Sequence, residues 1–179
     1  MKKISFGLTL FVIVLVNFSG NAQNLSWDVG LRFQKTQDLY YENGVTTQFN
    51  LNDRWGIGGS YYTSRLGSAL GSNAIKQDNF IVSAAYSFRP QKRLRPFIRA
   101  NTGYFIADYE ADIFDDLTSS SVLASVDVGI VYRFKTPLKI GLSVGYNAVT
   151  GSGSEGAGTL YPIFYQTSVT WDIFKASSK

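Results

Sequence analysis

Eight charged side chains, Asp28, Arg32, Arg54, Arg99, Asp127, Arg133, Lys139 and Asp172, stand in stretches where polar and apolar residues alternate, and each falls on the polar side. Carboxylates and cations gathered on one enclosed face have to pair. An isolated buried charge is expensive, and stripping one partner from a buried pair costs about 3–5 kcal/mol. The chemistry this set predicts is electrostatic: an ion-pair network that either locks an interior or lines a narrow ion path.

Covalent and proton-transfer chemistry has little to work with. The 179 residues include no histidine and no cysteine, so no side chain has an ordinary pKa near neutrality and no thiolate is available as nucleophile or soft metal ligand. Ser168 stands near Asp172, but a serine hydroxyl without a base is a weak nucleophile, and the spacing is that of alternating strand residues. No catalytic residue, cofactor-binding residue or metal ligand is assigned, and disulfides and a lipid-carrying cysteine are excluded. One acidic stretch, Asp108, Glu110, Asp112, Asp115 and Asp116, is dense enough to collect Ca²⁺ or Mg²⁺. Its spacing fits no defined calcium loop, and a solvated charge run is the plainer reading.

The elements that must position these residues are strands. From residue 25 onward the sequence alternates with a period of two in segments broken by turn-forming residues. In the first segment Leu25, Trp27, Val29, Leu31 and Phe33 share one face, and Ser26, Asp28, Gly30, Arg32 and Gln34 share the other. The same pattern predicts strands near 43–51, 54–64, 78–89, 95–107, 121–134, 138–149 and 160–174. The fifth is the least regular, because Phe97 and Phe105 fall on the side of Arg99, Asn101 and Gly103. Three connections are short: Asn52-Asp53, Arg89 to Arg95 and Lys135-Thr136-Pro137. The others, Lys35 to Glu42, Arg65 to Gln77, Asp108 to Ser120 and Thr150 to Thr159, are long and rich in Gly, Ser, Asn and Asp. This pattern predicts an all-β chain, an eight-stranded antiparallel up-and-down barrel with short turns at one end and long loops at the other.

Soluble barrels and sandwiches also alternate, with the apolar face turned inward. Three features predict the opposite orientation, lipid outside and a polar lumen. The apolar face carries no charge in any of the eight strands, the other face is small and polar, and aromatic residues collect at strand ends. By direction of travel, Trp27, Phe49, Trp55, Tyr86, Phe88, Tyr132, Phe134 and Trp171 fall at the short-turn end, and Phe33, Tyr61, Phe80, Tyr104, Tyr146 and Tyr161 at the long-loop end. Two such girdles suit the two headgroup boundaries of a bilayer. The interior of an eight-stranded barrel is just filled by side chains, so the eight inward charges are enclosed.

Ahead of the strands, Met1-Lys2-Lys3, the apolar stretch Ile4 to Val16 and the segment Asn17 to Ala22 have the order of a secretory signal peptide, with cleavage expected after Ala22. The apolar run falls short of the roughly 20 residues a spanning helix needs. The expected organisation is a signal peptide over 1–22, a barrel over 24–174 and a short tail over 175–179. Losing Lys2 and Lys3 from 17 basic residues, against 13 acidic ones, leaves the mature chain near neutral, without the basic footprint of a nucleic-acid binder. Arg89, Lys92, Arg93 and Arg95 crowd one short turn, where they could meet anionic lipid headgroups. Gly151 to Gly158 reads as a flexible loop, and Tyr40 and Tyr41 as girdle residues with adhesive potential.

In strand number, loop asymmetry, girdles and export signal, residues 24–174 resemble the small eight-stranded outer-membrane barrels of Gram-negative bacteria, the OmpA transmembrane domain and OmpX being representatives. The resemblance implies a porin-like fold and a cell-envelope location in the outer membrane. It also implies contact with outer-membrane lipids and lipopolysaccharide, and insertion by the barrel assembly machinery. Such families tend to end on an aromatic residue that this machinery reads. Here Phe174 is followed by Lys175 to Lys179 and is out of phase with Trp171 and Ile173, so recognition would use Tyr165, Val169 and Trp171 in a shifted frame. Two functions stay open: a structural or surface-interaction barrel, and a narrow channel or transporter for small solutes or lipids. The external ligand of the loops is not specified by these residues.

Overall fold

A computed structural model of the chain describes residues 25–36, 41–67, 73–109, 119–149, 152–153, 156–157 and 162–175. The expected export signal with its cleavage after Ala22 and parts of the four long loops lie outside them.

Eight strands form one closed sheet: β1 (Ser26–Thr36), β2 (Tyr41–Asn50), β3 (Trp55–Gly67), β4 (Asn73–Ser87), β5 (Leu94–Tyr109), β6 (Ser120–Arg133), β7 (Leu138–Val149) and β8 (Ile163–Lys175). Each pairs antiparallel with its chain neighbours, and β1 closes the barrel on β8. Closure removes the unpaired edges that an open sheet exposes. It also satisfies every strand's backbone groups within the sheet, which a hydrocarbon environment demands.

The alternation sorts side chains as expected and inverts the usual protein. Val45, Val82, Val126 and Leu142 are large apolar side chains left about half exposed on the outer face. Among the most completely enclosed side chains are Asn79 and Asp127. In a water-soluble fold this partition would run the other way. In β5 the irregularity is real: Phe97, Arg99 and Phe105 point inward while Ile98, Tyr104 and Ile106 point outward.

The strand ends depart from expectation, mostly at the long-loop end. Residues 65–67 and 73–77 belong to the ladder rather than to a loop, with Ser64 paired to Gln77 and Leu66 to Ile75. Both faces are polar or mixed there, so alternation is silent. β2 starts at Tyr41, earlier than expected, and brings Glu42 into the sheet. β8 starts at Ile163, after Pro162, rather than at residue 160. Proline lacks the N–H a ladder needs. Within the stretch read as a flexible loop, Ser152–Gly153 and Gly156–Ala157 form a short antiparallel ladder.

At the other end, β8 runs to Lys175, one residue past the expected barrel limit, and its register against β1 shifts between Trp27 and Asp28. Asp172 pairs with Asp28 and Phe174 with Trp27, leaving Ile173 as the extra residue of a β-bulge. The bulge corrects the phase of Phe174, which is exposed along with Ile173. The short turns are built locally. The Asn52 side chain accepts hydrogen bonds from the backbone N–H groups of Arg54 and Trp55, both at 2.8 Å, an Asx turn. Arg89 adopts the left-handed conformation, φ 49°.

Candidate functional site

The site is the lumen. Inward positions on all eight strands recur every second residue, and the charged ones meet in two groups along the barrel axis.

The group nearer the short turns centres on Lys139 of β7. Its Nζ lies 2.7 Å from both carboxylate oxygens of Asp28 on β1 and 2.6 Å from Oδ1 of Asp172 on β8. Asp28 and Asp172 are register partners, so the two carboxylates stand side by side and Lys139 neutralises part of that repulsion. Arg133 of β6 supplies the second cation, donating from Nη2 to Asp172 at 3.1 Å. Asn50 donates to Asp28 at 2.9 Å and to the Ser26 hydroxyl at 2.9 Å.

The mid-height group is a fork pair. Arg99 of β5 donates from Nε and Nη2 to Asp127 of β6 at 2.9 and 2.7 Å, and Asn101 adds a third donor at 3.0 Å. The bidentate geometry is the strong form of this contact. The guanidinium also sits 5.2 Å from the Phe97 ring centre. Arg99 then donates across the lumen to Gln166 of β8. Gln166 donates in turn to the Tyr62 hydroxyl of β3 at 2.9 Å and to Gln34 of β1 at 3.3 Å. Since β5, β3 and β8 are not sheet neighbours, the Arg99–Gln166 and Gln166–Tyr62 bonds are struts across the barrel, while Gln34 is the register partner of Gln166 on the adjoining β1.

Two expected members of the network stand apart. Arg32 is buried but makes no ion pair among the described residues; it donates from Nη1 to the Tyr62 hydroxyl at 3.1 Å. Its Nε has no hydrogen-bond partner. Arg54 lies just before β3 at the rim, exposed, with Nη1 3.5 Å from the Tyr86 hydroxyl. A residue at the strand's mouth is free to reach water, so alternation alone does not enclose it.

Sequence reasoning missed Glu42, Tyr62 and Gln166 as a connected set. Glu42 is enclosed and accepts from Gln34 at 2.7 Å and from Asn79 at 2.6 Å. Period-two counting back from Thr46 reaches Glu42, a signal obscured by its place at the end of a presumed loop. Beside this network, toward the long loops, Phe105, Ala107 and Leu123 pack together with Ile81, and Phe164 is enclosed. Toward the short turns it opens into a cavity of about 330 Å³.

On the outer face the aromatics lie in bands. At the short-turn end Trp27 stacks on Phe49 at 5.2 Å, Trp55 meets Tyr86 edge-on at 4.9 Å, Tyr86 meets Phe88 at 5.0 Å, and Tyr132 meets Phe134 at 4.9 Å. Trp171 is exposed nearby. At the long-loop end Tyr61 packs on Phe80 at 5.2 Å, Phe80 pairs with Tyr104, and Phe33 and Tyr146 are exposed. Tyr161 and Tyr40 lie outside the described residues, as do Glu110, Asp112, Asp115 and Asp116 of the acidic stretch. Asp108 is described and lies 3.7 Å from Lys76.

The closed eight-strand ring matches solved structures. The fold is that of a small outer-membrane barrel. The N-terminal β-barrel domain of Pseudomonas aeruginosa OprF is similar with a TM-score of 0.61 at 14% identity, over 83% of this chain and 97% of that one. The outer membrane protein OprG of Pseudomonas aeruginosa is similar with a TM-score of 0.55 at 13% identity, over 90% of this chain and 99% of that one. Neisserial surface protein A is similar with a TM-score of 0.54 at 15% identity, over 82% of this chain and 93% of that one. At these identities the likeness is one of fold. No protein-family model and no curated protein matches the sequence.

Proposed function

We propose that this chain is a non-catalytic bacterial outer-membrane protein with a structural or surface-interaction role, its lumen closed by its own side chains and its long loops facing outward. One observation carries the reading: the strut from Asp127 through Arg99 and Gln166 to Tyr62 and Gln34 joins strands on opposite sides of the barrel. A path for solutes would have to break it. Beyond it, Phe105, Ala107 and Leu123 pack together on the β5–β6 side of the lumen. Export through a signal peptide cleaved near Ala22, assembly by the barrel insertion machinery, and contact with lipid and lipopolysaccharide belong to this reading. The lack of any histidine or cysteine supports the non-catalytic part.

The rival reading, a narrow channel or transporter for small solutes or lipids, draws on the polar lumen and the cavity at its short-turn end. Planar-bilayer recording separates the two. A closed lumen gives no steady conductance above the bare bilayer in the wild type. Steady single-channel steps that change in the Arg99→Ala variant would replace the structural reading with the channel.

A further inference from the structure

The cavity at the short-turn end is chemically one-sided. Seven of its lining side chains are cationic and two, Asp28 and Asp53, are acidic. Lys139, Arg133 and Arg99 spend their charge on Asp28, Asp172 and Asp127. Arg32, Arg54 and Arg95 line the same cavity and make no ion pair among the described residues. Arg95 donates from Nε to the Lys92 carbonyl at 3.0 Å.

Arg32 makes the second, independent point. It is 3% exposed, and its Nε–H is buried without a partner. A buried donor left unsatisfied costs free energy that a bound acceptor would recover. Three guanidiniums around a low-dielectric pocket focus positive potential in it, and their planar forks match tetrahedral oxyanions. The pocket is blind, because the Arg32–Tyr62–Gln166–Arg99 layer closes its inner end.

We propose that this vestibule is a binding site for a small multivalent oxyanion of the phosphate type, admitted at the short-turn mouth past Arg54 and Arg95 and received at depth by Arg32. The site follows from the lumen's own geometry; only the compartment that supplies the anion, the periplasm, rests on the function proposed above. A free phosphate and a lipid headgroup of the inner leaflet share this chemistry.

The test uses the refolded chain in uncharged detergent micelles, with pyrophosphate as the probe. Calorimetry is read alongside the ¹⁵N signals of the arginine Nε–H groups. Saturable binding is expected, with the Arg32 Nε–H signal moving in step. The paired rim variant Arg54→Gln/Arg95→Gln leaves the Arg99–Asp127, Arg133–Asp172 and Lys139–Asp28 pairs intact and should keep the fold, checked by heat-modifiable gel migration. It should weaken binding roughly tenfold or more, the scale of one charged hydrogen bond. Arg32→Gln should abolish the deep signal, and if that variant does not fold the rim pair decides alone.

Nanodiscs of phosphatidylglycerol and of phosphatidylcholine, each compared with micelles, distinguish the source. An Arg32 signal already displaced in phosphatidylglycerol, with pyrophosphate affinity reduced, assigns the site to a headgroup; unchanged affinity assigns it to a soluble anion. Absence of saturation, equal affinity in the rim variant, or shifts confined to Arg89 and Arg93 outside the cavity would overturn the proposal. Bilayer conductance is unaffected by any of these outcomes, so this site and the closed-lumen reading fail separately.

Discussion

The Arg99–Asp127 pair makes the most exposed prediction about what holds the lumen together. Asp127 is 1% exposed and accepts three hydrogen bonds, two from the Arg99 fork and one from Asn101. Asp127→Ala leaves a buried guanidinium whose remaining contacts are Gln166 and the Phe97 ring. Arg99→Met leaves a buried carboxylate with Asn101 as its donor. Each single change should cost about 3–5 kcal/mol, with Asp127→Ala toward the lower end because Gln166 still serves the cation.

Replacing both, as Arg99→Met/Asp127→Leu, removes the charges together and should cost far less than the sum, since apolar replacement of a buried pair is often near neutral. The expected coupling is at least about 2 kcal/mol, well outside the 0.3–0.5 kcal/mol within which independent sites add. Equilibrium urea unfolding of the refolded barrel in lipid vesicles, followed by the fluorescence of its three tryptophans, measures all four species. Single losses below about 1 kcal/mol that add without coupling would refute the idea that this pair is a buried structural unit.

Two further variants probe the wall and the packing behind it. Val128 is 50% exposed on the outer face beside Ile98 and Val144; Val128→Arg should cost about 2–4 kcal/mol in vesicles if lipid bathes it. A loss within about 0.5 kcal/mol, typical of a surface residue in water, would contradict a membrane setting. Gly145 lies between Phe164 and Asp127 on the adjoining strands, and a Cβ there would clash with Phe164 Cζ and stand 2.7 Å from Asp127 Cβ. Gly145→Ala should therefore cost about 1–3 kcal/mol by overpacking. Phe164→Leu should recover part of that cost, and thermal unfolding of the two variants and their combination reads it.

How much of this was visible in the sequence follows from where the two faces of a strand meet different solvents. Over the middle of the strands the outer and inner faces differ sharply in polarity, so Val126, Val128 and Ile130 against Asp127 and Gly129 read without ambiguity. Toward the long loops the contrast in the sequence vanishes, and alternation is silent over residues 73–77 although they pair with β3 and β5. Phe174 misled for a different reason, because a single bulge residue, Ile173, reverses the phase of everything after it. The inward charges were recognisable one by one, but not their partners. Which inward side chains meet across a barrel depends on strand stagger, and nothing in one sequence reports that Gln166 reaches Arg99.

The packing of the lumen suggests how its two halves come to differ. An eight-stranded ring has a nearly fixed interior, so every large inward side chain needs a small one nearby. Tyr62 has Gly44, where an added Cβ would lie 2.8 Å from its Cδ1, and Phe164 has Gly145. Both rings sit at or above mid-height, where with Phe105 and Leu123 they complete the closed half. Below them β3 presents Gly56 and Gly58 to the lumen, and both are buried, yet the neighbours there are polar amides and a serine rather than rings. A Cβ at Gly56 would stand 2.8 Å from Gln48 Nε2, and one at Gly58 would stand 3.0 Å from Ser83 Oγ. Tyr62, Phe164, Phe105 and Leu123 fill the closed half, whereas at the short-turn end a single inward ring among the described residues, Phe97, leaves room that cations rim, so the same wall yields a plug at one end and a charged vestibule at the other.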